Sequence, residues 1–102
     1  MRYRDKLEII RDILEAANGR AVTKTKIMYG AALSYNQLQE HLMFLGKRDL
    51  LCYDKETQSF KTTEKGIEFL QTYNEIDEIV KSYYHYNTRT TTKTMTKSLD
   101  IE

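Results

Sequence analysis

Proline and tryptophan are absent from the 102-residue sequence, and glycine occurs only four times. A chain with so few helix-breaking and turn-forming residues is expected to have few long loops. The single cysteine, Cys52, cannot form a disulfide within the chain and has no cysteine partners for a zinc site. We therefore expect a reducing, cytoplasmic location, either nucleoid-associated or in the cytoplasm of a host cell. Cys52 itself is expected to be a small buried core residue.

Long apolar runs are also missing, because no stretch of about 18 apolar residues occurs, and no membrane span is expected. The charged residues 1–10 do not have the pattern of a secretory signal. His41 and His85 have no second ligand one helical turn away, and the glycines are too widely spaced for a phosphate loop. We therefore expect no catalytic residue, metal site, cofactor or small-molecule ligand. His41 is expected to be partly buried on a helix.

Charge is unevenly distributed, although its net value is only +1. Residues 1–66 carry 12 basic and 9 acidic side chains, whereas residues 67–87 carry one lysine and four carboxylates. Residues 88–102 return to a net charge of +1. The basic and acidic segments are therefore expected to have different roles.

Residues 4–18 have apolar side chains at helical spacing, which predicts an amphipathic helix. Its expected inward side chains are Leu7, Ile10, Ile13, Leu14 and Ala17. Gly19 is expected to end this helix, and residues 20–22 are expected to form a short extended link.

The stretch YGAALSYNQLQEHL, at residues 29–42, either continues one helix or joins two. Ser34 precedes Gln37 by three residues, which is the spacing of a capping box, and Leu33 is placed as a hydrophobic staple. A single continuous helix would leave these features without a role, so we predict two helices.

The first of these helices is expected over residues 24–29, with Thr23 as its cap. Gly30 is expected to supply the flexible position of the turn. The second helix is predicted over residues 34–48, with its leucines on one side and polar residues on the other.

Two short segments that follow, 50–53 and 59–62, are predicted to pair as a hairpin around the polar turn 54–58. Thr63 is expected to cap a long helix over residues 64–86. The tail, residues 88–102, contains six threonines between positions 88 and 96. It has no helical period, and we expect it to be mobile, with a strand as the alternative.

Three helices followed by a two-stranded wing form the winged helix-turn-helix arrangement. The predicted fold class is therefore mainly α with a small β-hairpin. Residues 1–66 are expected to form the winged domain, residues 67–87 a dimerisation helix in an antiparallel coiled coil, and residues 88–102 the tail.

The sequence resembles a known family in the segments KLEIIRDILEAA, TKTKIMYGAALSY and LLCYDKETQSFKTTEKGIEFL and in the long last helix. The family is the small archaeal winged-helix DNA-binding proteins of the chromatin-associated type, and the resemblance covers residues 5–85. Its most specific features are KIMYGAALSY and the TEKG motif before the last helix. The resemblance implies a two-fold dimer, joined by an antiparallel coiled coil, whose recognition helices face DNA.

The residues themselves give a separate reason to expect double-stranded DNA as a partner. Amide side chains on helix 34–48 can pair with adenine edges, while hydroxyl and basic groups suit phosphate oxygens. The expected DNA-binding residues are Thr23, Lys24, Thr25, Lys26, Ser34, Asn36, Gln37, Glu40, Lys47, Arg48, Lys55, Gln58 and Lys61. Whether the function is transcription regulation or DNA organisation stays open at this point.

A winged helix can also act as a protein–protein adaptor without reading DNA. Glu40 would be repelled by phosphates, although it could accept a hydrogen bond from cytosine. Met43 and Phe44 are unusual on a DNA-facing surface and could pack against the wing or a partner. Both interpretations therefore remain, with salt-dependent DNA binding as the property that separates them.

The last predicted helix has an apolar side that nothing else in the sequence is expected to cover. Its spacing approximates a heptad pattern, which favours pairing with a second copy of the chain. The expected homodimer interface is Tyr73, Ile76, Ile79, Val80, Tyr83 and Tyr84. Antiparallel pairing would separate the acidic groups of the two helices.

Overall fold

The computed structural model describes the backbone of residues 4–101 and the side chains of residues 4–84. The helices and strands follow one another in the predicted order, with one additional short strand before the second helix. They are α1 (Lys6–Ala16), β1 (Val22–Thr23), α2 (Lys24–Gly30), α3 (Tyr35–Lys47), β2 (Leu51–Asp54), β3 (Ser59–Thr62) and α4 (Glu64–Ile101). None of the described helices is long and apolar enough to cross a membrane.

The first helix begins at a capping box and ends before a glycine. Asp5 accepts a hydrogen bond from the backbone of Glu8, whose side chain accepts one from the backbone of Asp5. Gly19 has φ +92°, a left-handed conformation that glycine adopts without steric cost, and the chain turns there as predicted. Leu7 does not belong to the buried stripe, since its side chain is 53% exposed. It lies one turn before Ile10, which is the first buried residue of α1.

The helix-turn-helix consists of two separate helices, as the capping signal at Ser34 predicts. The Ser34 hydroxyl accepts a hydrogen bond from the Gln37 amide, and Gln37 Oε1 accepts one from the Ser34 amide. Leu33 and Leu38 both lie in the core, at the two positions of a hydrophobic staple.

The turn between α2 and α3 obtains its left-handed residue from Ala32, with φ +54°, and the prediction for Gly30 was wrong. Ala32 donates to the Tyr29 carbonyl and Leu33 donates to the Met28 carbonyl, which is the Schellman pattern at a helix end. Gly30 is the last residue of α2. A Cβ at Gly30 would lie 3.3 Å from Ala16 Cβ, so this glycine allows α2 to approach α1 closely.

The Arg4 side chain connects the turn between α2 and α3 to α1 by hydrogen bonds and an ion pair. Its guanidinium donates to the carbonyls of Ala31 at 2.7 Å and Ala32 at 3.0 Å. The same guanidinium forms an ion pair with Asp12 on α1 at 2.7 Å. The guanidinium therefore donates charged hydrogen bonds to backbone carbonyls at the end of α2, where helix geometry leaves carbonyls without an intrahelical partner.

The wing belongs to a three-stranded antiparallel sheet with strand order β1-β3-β2. The sequence predicted only the β2–β3 hairpin and assigned residues 20–22 to a link. In the structure Val22 pairs with Phe60 and Thr23 pairs with Ser59. Two residues are too few for an alternating pattern to reveal a strand, so β1 could not be recognised from the sequence.

Cys52 lies on the exposed side of β2, and the prediction that it fills the core was wrong. Leu51 faces Thr62 across the hairpin, and both are buried. The next pair, Cys52 and Lys61, points to the other side of the sheet because side chains alternate along a strand. The inward position of β2 is therefore occupied by leucine rather than cysteine.

The core of the winged unit lies between the three short helices, the sheet and the start of α4. The largest of the almost completely buried side chains are Ile13, Leu14, Ile27, Leu38 and Leu45. Thr62 connects β3 to the end of α1, since its amide donates to the Ala17 carbonyl and its hydroxyl donates to the Leu14 carbonyl.

The start of α4 packs against the core. Thr63 caps the helix by accepting a hydrogen bond from the Gly66 amide at 3.0 Å, and its hydroxyl donates to the Asp49 carbonyl. Leu70 is 3% exposed, and the partly buried Phe69 also packs against the core.

The chain divides into two units, Met1–Gln71 and Thr72–Glu102. Helix α4 continues to Ile101, whereas the sequence predicted its end near residue 86. The threonine-rich segment lowers helix propensity but contains neither proline nor glycine to stop a helix. The expected mobility of residues 88–102 remains a prediction, because their side chains lie outside the described residues.

Candidate nucleic-acid interface

Helix α3 presents a polar and partly apolar side to solvent. Its leucines Leu38, Leu42 and Leu45 are buried in the core. The opposite side therefore carries the exposed residues Asn36, Glu40, Met43 and Lys47. Tyr35, at the first position of α3, is 55% exposed and adjoins this surface. The structure thus leaves the predicted reading side of α3 uncovered within the described part of the chain.

Gln37 has a structural role that limits how it could read a base. Its Oε1 atom accepts the Ser34 amide at 3.0 Å in the capping box. Bidentate pairing with adenine needs both the oxygen and the amide nitrogen of the side chain. The capping bond holds the Gln37 oxygen toward the Ser34 backbone, whereas Asn36 has no role in the capping box.

The start of α2 lies beside the start of α3. Thr23 is both the last residue of β1 and the cap of α2, where its hydroxyl accepts the Lys26 amide at 3.2 Å. The Lys24 ammonium lies 5.4 Å from the centre of the Tyr35 ring, a cation–π distance. This contact places a positive charge next to the first turn of α3.

The tip of the wing lies close to the start of α2. The side chains of Thr57 and Ser59 are joined by a hydrogen bond of 2.6 Å, and the Asp54 carboxylate accepts the Glu56 amide. Gln58, at the last position of the turn, has φ +52°. Because β3 pairs with β1, this tip lies next to Thr23.

A groove of about 410 Å³ lies between the start of α2 and the wing. Tyr53 and Phe60, with ring centres 4.7 Å apart, contribute aromatic side chains to its lining. We call this feature the wing groove, and it is lined by Thr23, Lys24, Thr25, Tyr53, Thr57, Gln58 and Phe60. Four of the predicted DNA-binding residues, Thr23, Lys24, Thr25 and Gln58, are therefore brought together.

Other predicted residues lie away from the wing groove. Lys61 faces Cys52 on the side of the sheet opposite Phe60 and Tyr53. Lys47 and Arg48 lie at the C-terminal end of α3, where the Arg48 guanidinium packs 4.3 Å from the centre of the Phe44 ring. Exposed positions are also occupied by Lys26 and Lys55.

A shallow recess of about 220 Å³ lies between α1 and α3, lined by Lys6, Ile10, Glu40, His41 and Phe44. His41 is partly buried there, as predicted. Burial lowers its pKa below the ordinary value of 6.5, the Glu40 carboxylate opposes this shift, and the Lys6 ammonium adds to it. His41 is therefore held mainly neutral at neutral pH.

Sequence comparison assigns this architecture to a family. The family model for the winged helix-turn-helix matches residues 3–81. The chain belongs to the winged helix-turn-helix family. No match was found among curated protein sequences.

One solved structure similar to this winged helix-turn-helix protein is Sso10a-2, a DNA-binding protein from Sulfolobus solfataricus. The two chains are 27% identical, with a TM-score of 0.75, and the match covers 84% of this chain and 92% of the other. The resemblance found in the sequence, to small archaeal winged-helix DNA-binding proteins, is confirmed by these two comparisons.

The second unit of this winged-helix protein carries the predicted interface residues on α4. Ile76, Ile79, Val80, Tyr83 and Tyr84 are between 43% and 67% exposed, and Tyr73 is half-buried. The rings of Tyr83 and Tyr84 contact each other edge to face, with centres 6.0 Å apart. We call these six residues the α4 stripe.

Sequence reasoning missed four residues of the candidate surface: Tyr35, Tyr53, Thr57 and Phe60. Tyr35 lies in the predicted helix 34–48 and Tyr53 in the predicted hairpin segment 50–53, and neither was among the expected DNA-binding residues. Strand alternation could have placed Tyr53 on the same side as Leu51 and Phe60. Its position beside α2 could not have been found, because it depends on the unrecognised pairing of β1 with β3.

Proposed function

We propose that this protein binds duplex DNA through the exposed side of α3 and the wing, as a transcription regulator or DNA-organising protein. The observation that carries the proposal is the convergence of the α2 start, the α3 start and the wing tip on one surface. The Lys24–Tyr35 contact and the pairing of β1 with β3 hold these three parts together. Family membership and the similarity to a DNA-binding protein support it.

The proposed roles of the side chains follow from their positions. Asn36 is exposed in the first turn of α3 and is the proposed base-reading amide. Lys24 and Lys55 are proposed to contact phosphates, which position the protein without reading sequence. Lys61 lies on the other side of the sheet and is expected to add only long-range attraction. Glu40 is proposed as a cytosine contact.

The experiment is a fluorescence-anisotropy titration with a preferred and a random duplex at about 50 and 200 mM salt. Asn36→Ala should weaken binding to the preferred duplex by about 1–3 kcal/mol and change random binding less. Lys55→Ala should weaken both equally and flatten the salt dependence. If the parent chain binds neither duplex at low salt, the proposed DNA-binding function is wrong.

The homodimer is part of the same proposal and has a separate basis. The α4 stripe leaves five large apolar or aromatic side chains exposed on one side of a helix. Burying each large aliphatic side chain would contribute about 1.5–3 kcal/mol. A second copy of the helix in antiparallel orientation covers the stripe while keeping apart the carboxylates of Glu68, Glu75, Asp77 and Glu78.

A second candidate function is protein–protein interaction, and the observation that favours it is the apolar part of α3. Met43 is 65% exposed and Phe44 is 41% exposed. Such side chains suit a protein partner better than phosphates. The salt titration separates the two functions, because DNA binding must weaken steeply as salt rises.

A further inference from the structure

Strand β2 lies at one edge of the sheet, and the bonding pattern of the hairpin shows which of its backbone groups face outward. The Thr63 amide donates to the Leu50 carbonyl at 3.2 Å, whereas the Thr62 amide points away from β2 and donates to the Ala17 carbonyl. Bonded and non-bonded pairs alternate along an antiparallel ladder. Leu51, the partner of Thr62, therefore has its backbone N–H and C=O on the outer edge.

Tyr53, two residues further along β2, has the same outward backbone orientation. Within the described part of the chain, no residue outside the hairpin forms a hydrogen bond with the backbone of Leu51 or Tyr53. The side chains of Cys52, Tyr53 and Asp54 are exposed, so this part of the strand is accessible. Unpaired backbone groups on an accessible edge are a template for a further strand.

We propose that the outer edge of β2 pairs antiparallel with β2 of a second copy of this chain, by a contact separate from the α4 stripe. Only one two-fold register pairs the outward residues with each other, Leu51 of one copy with Tyr53 of the other. In this register Cys52 faces Cys52 of the second copy at a non-bonded position.

The charges beyond the two ends of β2 favour a second copy as the occupant. Arg48 and Asp49 precede the strand, Lys55 and Glu56 follow it, and all four side chains are exposed. Antiparallel pairing about Cys52 brings the start of one strand beside the end of the other. Asp49 then lies near Lys55 of the second copy and Arg48 near Glu56, so both ends carry opposite charges.

A chain with two different two-fold contacts can connect more than two copies. If the α4 stripe joins one pair, the β2 edge joins that pair to the next. This consequence rests on the proposed function, and it favours the DNA-organising role because copies bound along a duplex would be linked to one another. The β2 contact itself requires neither DNA nor the α4 stripe.

Cys52 can report the pairing directly. The Cα atoms of a non-bonded antiparallel pair lie about 4.5 Å apart, a distance that a disulfide can span. The full chain at micromolar concentration is incubated with oxidised glutathione, which is reduced to two glutathione thiols as two Cys52 thiols join in one disulfide. Non-reducing electrophoresis should show a covalent dimer that forms at least about tenfold faster than in a control without facing thiols.

The matched control is Cys52→Ser combined with Lys61→Cys. Position 61 is exposed on the same side of the sheet and lies opposite position 52, one strand further from the two-fold axis. Its thiol would lie three strand spacings, roughly 14 Å, from its equivalent in the second copy, which is too far for a disulfide. Equal rates for the parent and this control would indicate random collision and overturn the pairing.

The substitution Tyr53→Pro tests the backbone bonds. It removes an N–H that only the second copy would use, and proline is tolerated at such edge positions. Because the two-fold symmetry removes this bond twice, crosslinking should slow at least about tenfold. Tyr53→Ala also lacks the ring but keeps the N–H, so it should crosslink several-fold faster than Tyr53→Pro. Equal rates for these two variants would contradict the strand pairing.

A charge substitution outside the strand keeps the test decisive if proline disturbs the wing. Lys55→Glu places a carboxylate near Asp49 of the second copy and should slow crosslinking about threefold. In an Asp49→Asn background the same substitution should have a smaller effect, and asparagine tolerates the positive φ at this position. An unchanged effect of Lys55→Glu in that background would contradict the proposed register.

The β2 contact and the α4 stripe are also distinguishable. Ile76→Lys combined with Val80→Lys should crosslink through Cys52 at the parent's rate, because the β2 edge does not use the stripe. Loss of crosslinking in that variant would assign the reaction to the α4 contact and overturn the β2 pairing. A parent that crosslinks no faster than the Lys61→Cys control overturns the β2 pairing alone, since DNA binding is measured separately.

Discussion

Gly66 is a residue at which a single added carbon would have large consequences. It lies in the first turn of α4, where that helix passes the loop after α3 and the end of β3. A Cβ there would collide with the Leu50 carbonyl oxygen and would lie 2.5 Å from Thr62 Cγ2. The TEKG motif therefore has a packing explanation, in which threonine caps the helix and glycine permits the close approach.

We predict that Gly66→Ala lowers the free energy of unfolding by about 1–3 kcal/mol, because the backbone must shift to relieve the overlap. The measurement is urea unfolding. Gly46→Ala is the matched control, since a Cβ at Gly46 meets nothing within 4 Å. Gly46 is the second-last residue of α3, and alanine in place of a helical glycine should raise stability by up to about 1 kcal/mol. Equal effects at the two glycines would contradict the packing explanation.

His41 gives the winged unit a pH dependence of predictable sign. Its pKa is lowered in the fold, chiefly by burial, with Glu40 and Lys6 as the charged neighbours. The unfolded chain therefore binds the proton more tightly than the folded one. The stabilising contribution is complete above the unfolded pKa of about 6.5 and is lost as the pH falls toward the lowered folded value.

We therefore expect the free energy of unfolding to decrease between about pH 7.5 and pH 5.5, and His41→Gln to reduce this decrease. Glutamine does not titrate, while the remaining titratable groups are the same in both proteins. Chemical unfolding at several pH values measures the difference. Parallel curves for parent and variant would show that His41 makes no such contribution.

At the scale of the helices, the capping box at Ser34 defines where α3 begins. We predict that Ser34→Ala costs about 1 kcal/mol of stability, because the Gln37 amide loses its acceptor. Gln39→Ala, an exposed change in the same helix outside the box, should have little effect. Amide exchange adds a second measurement, and unbroken helical protection from residue 24 to residue 48 would contradict the two-helix architecture.

Capping signals and apolar spacing were sufficient to predict the four helices and the hairpin. Ser34 and Gln37 determine a helix start by local hydrogen bonds, so their effect is visible in a short stretch of sequence. The position of the left-handed residue was not predictable in the same way. Ala32 occupies it because the close packing of α2 on α1 uses Gly30, and that approach is a tertiary property.

The candidate site was predictable only in part for a similar reason. Asn36 and its neighbours on α3 follow from helical periodicity once the leucines are placed inside. The wing groove, in contrast, is formed by residues of β1, α2 and the β2–β3 hairpin. Residue 23 and residue 59 are brought together by strand pairing across the helix-turn-helix, and no local pattern encodes that contact.

At the scale of the whole molecule, the α4 stripe predicts the oligomeric state. Sedimentation of the parent at micromolar concentration should give twice the 12.1 kDa mass of the chain. Ile76→Lys combined with Val80→Lys should sediment as a monomer, because two charges enter the interface.

The control for this prediction is Asn74→Lys combined with Glu78→Lys. These positions have the same four-residue spacing and are exposed, but they lie on the opposite side of α4 from Ile76 and Val80. This variant should remain dimeric. A parent that stays monomeric at every concentration would rule out the coiled-coil dimer without affecting the DNA-binding proposal.

The two hydrogen bonds from Thr62 to the end of α1 have a consequence for how the protein is made. One of them joins residues 48 positions apart in the sequence. Synthesis proceeds from the N-terminus, so all three short helices leave the ribosome before Thr62 does. Until then the carbonyls of Leu14 and Ala17 have no strand partner. A nascent chain that stops before β3 is therefore expected to hold helices in exchange with unfolded forms, and the winged unit becomes cooperative only once β3 has been added.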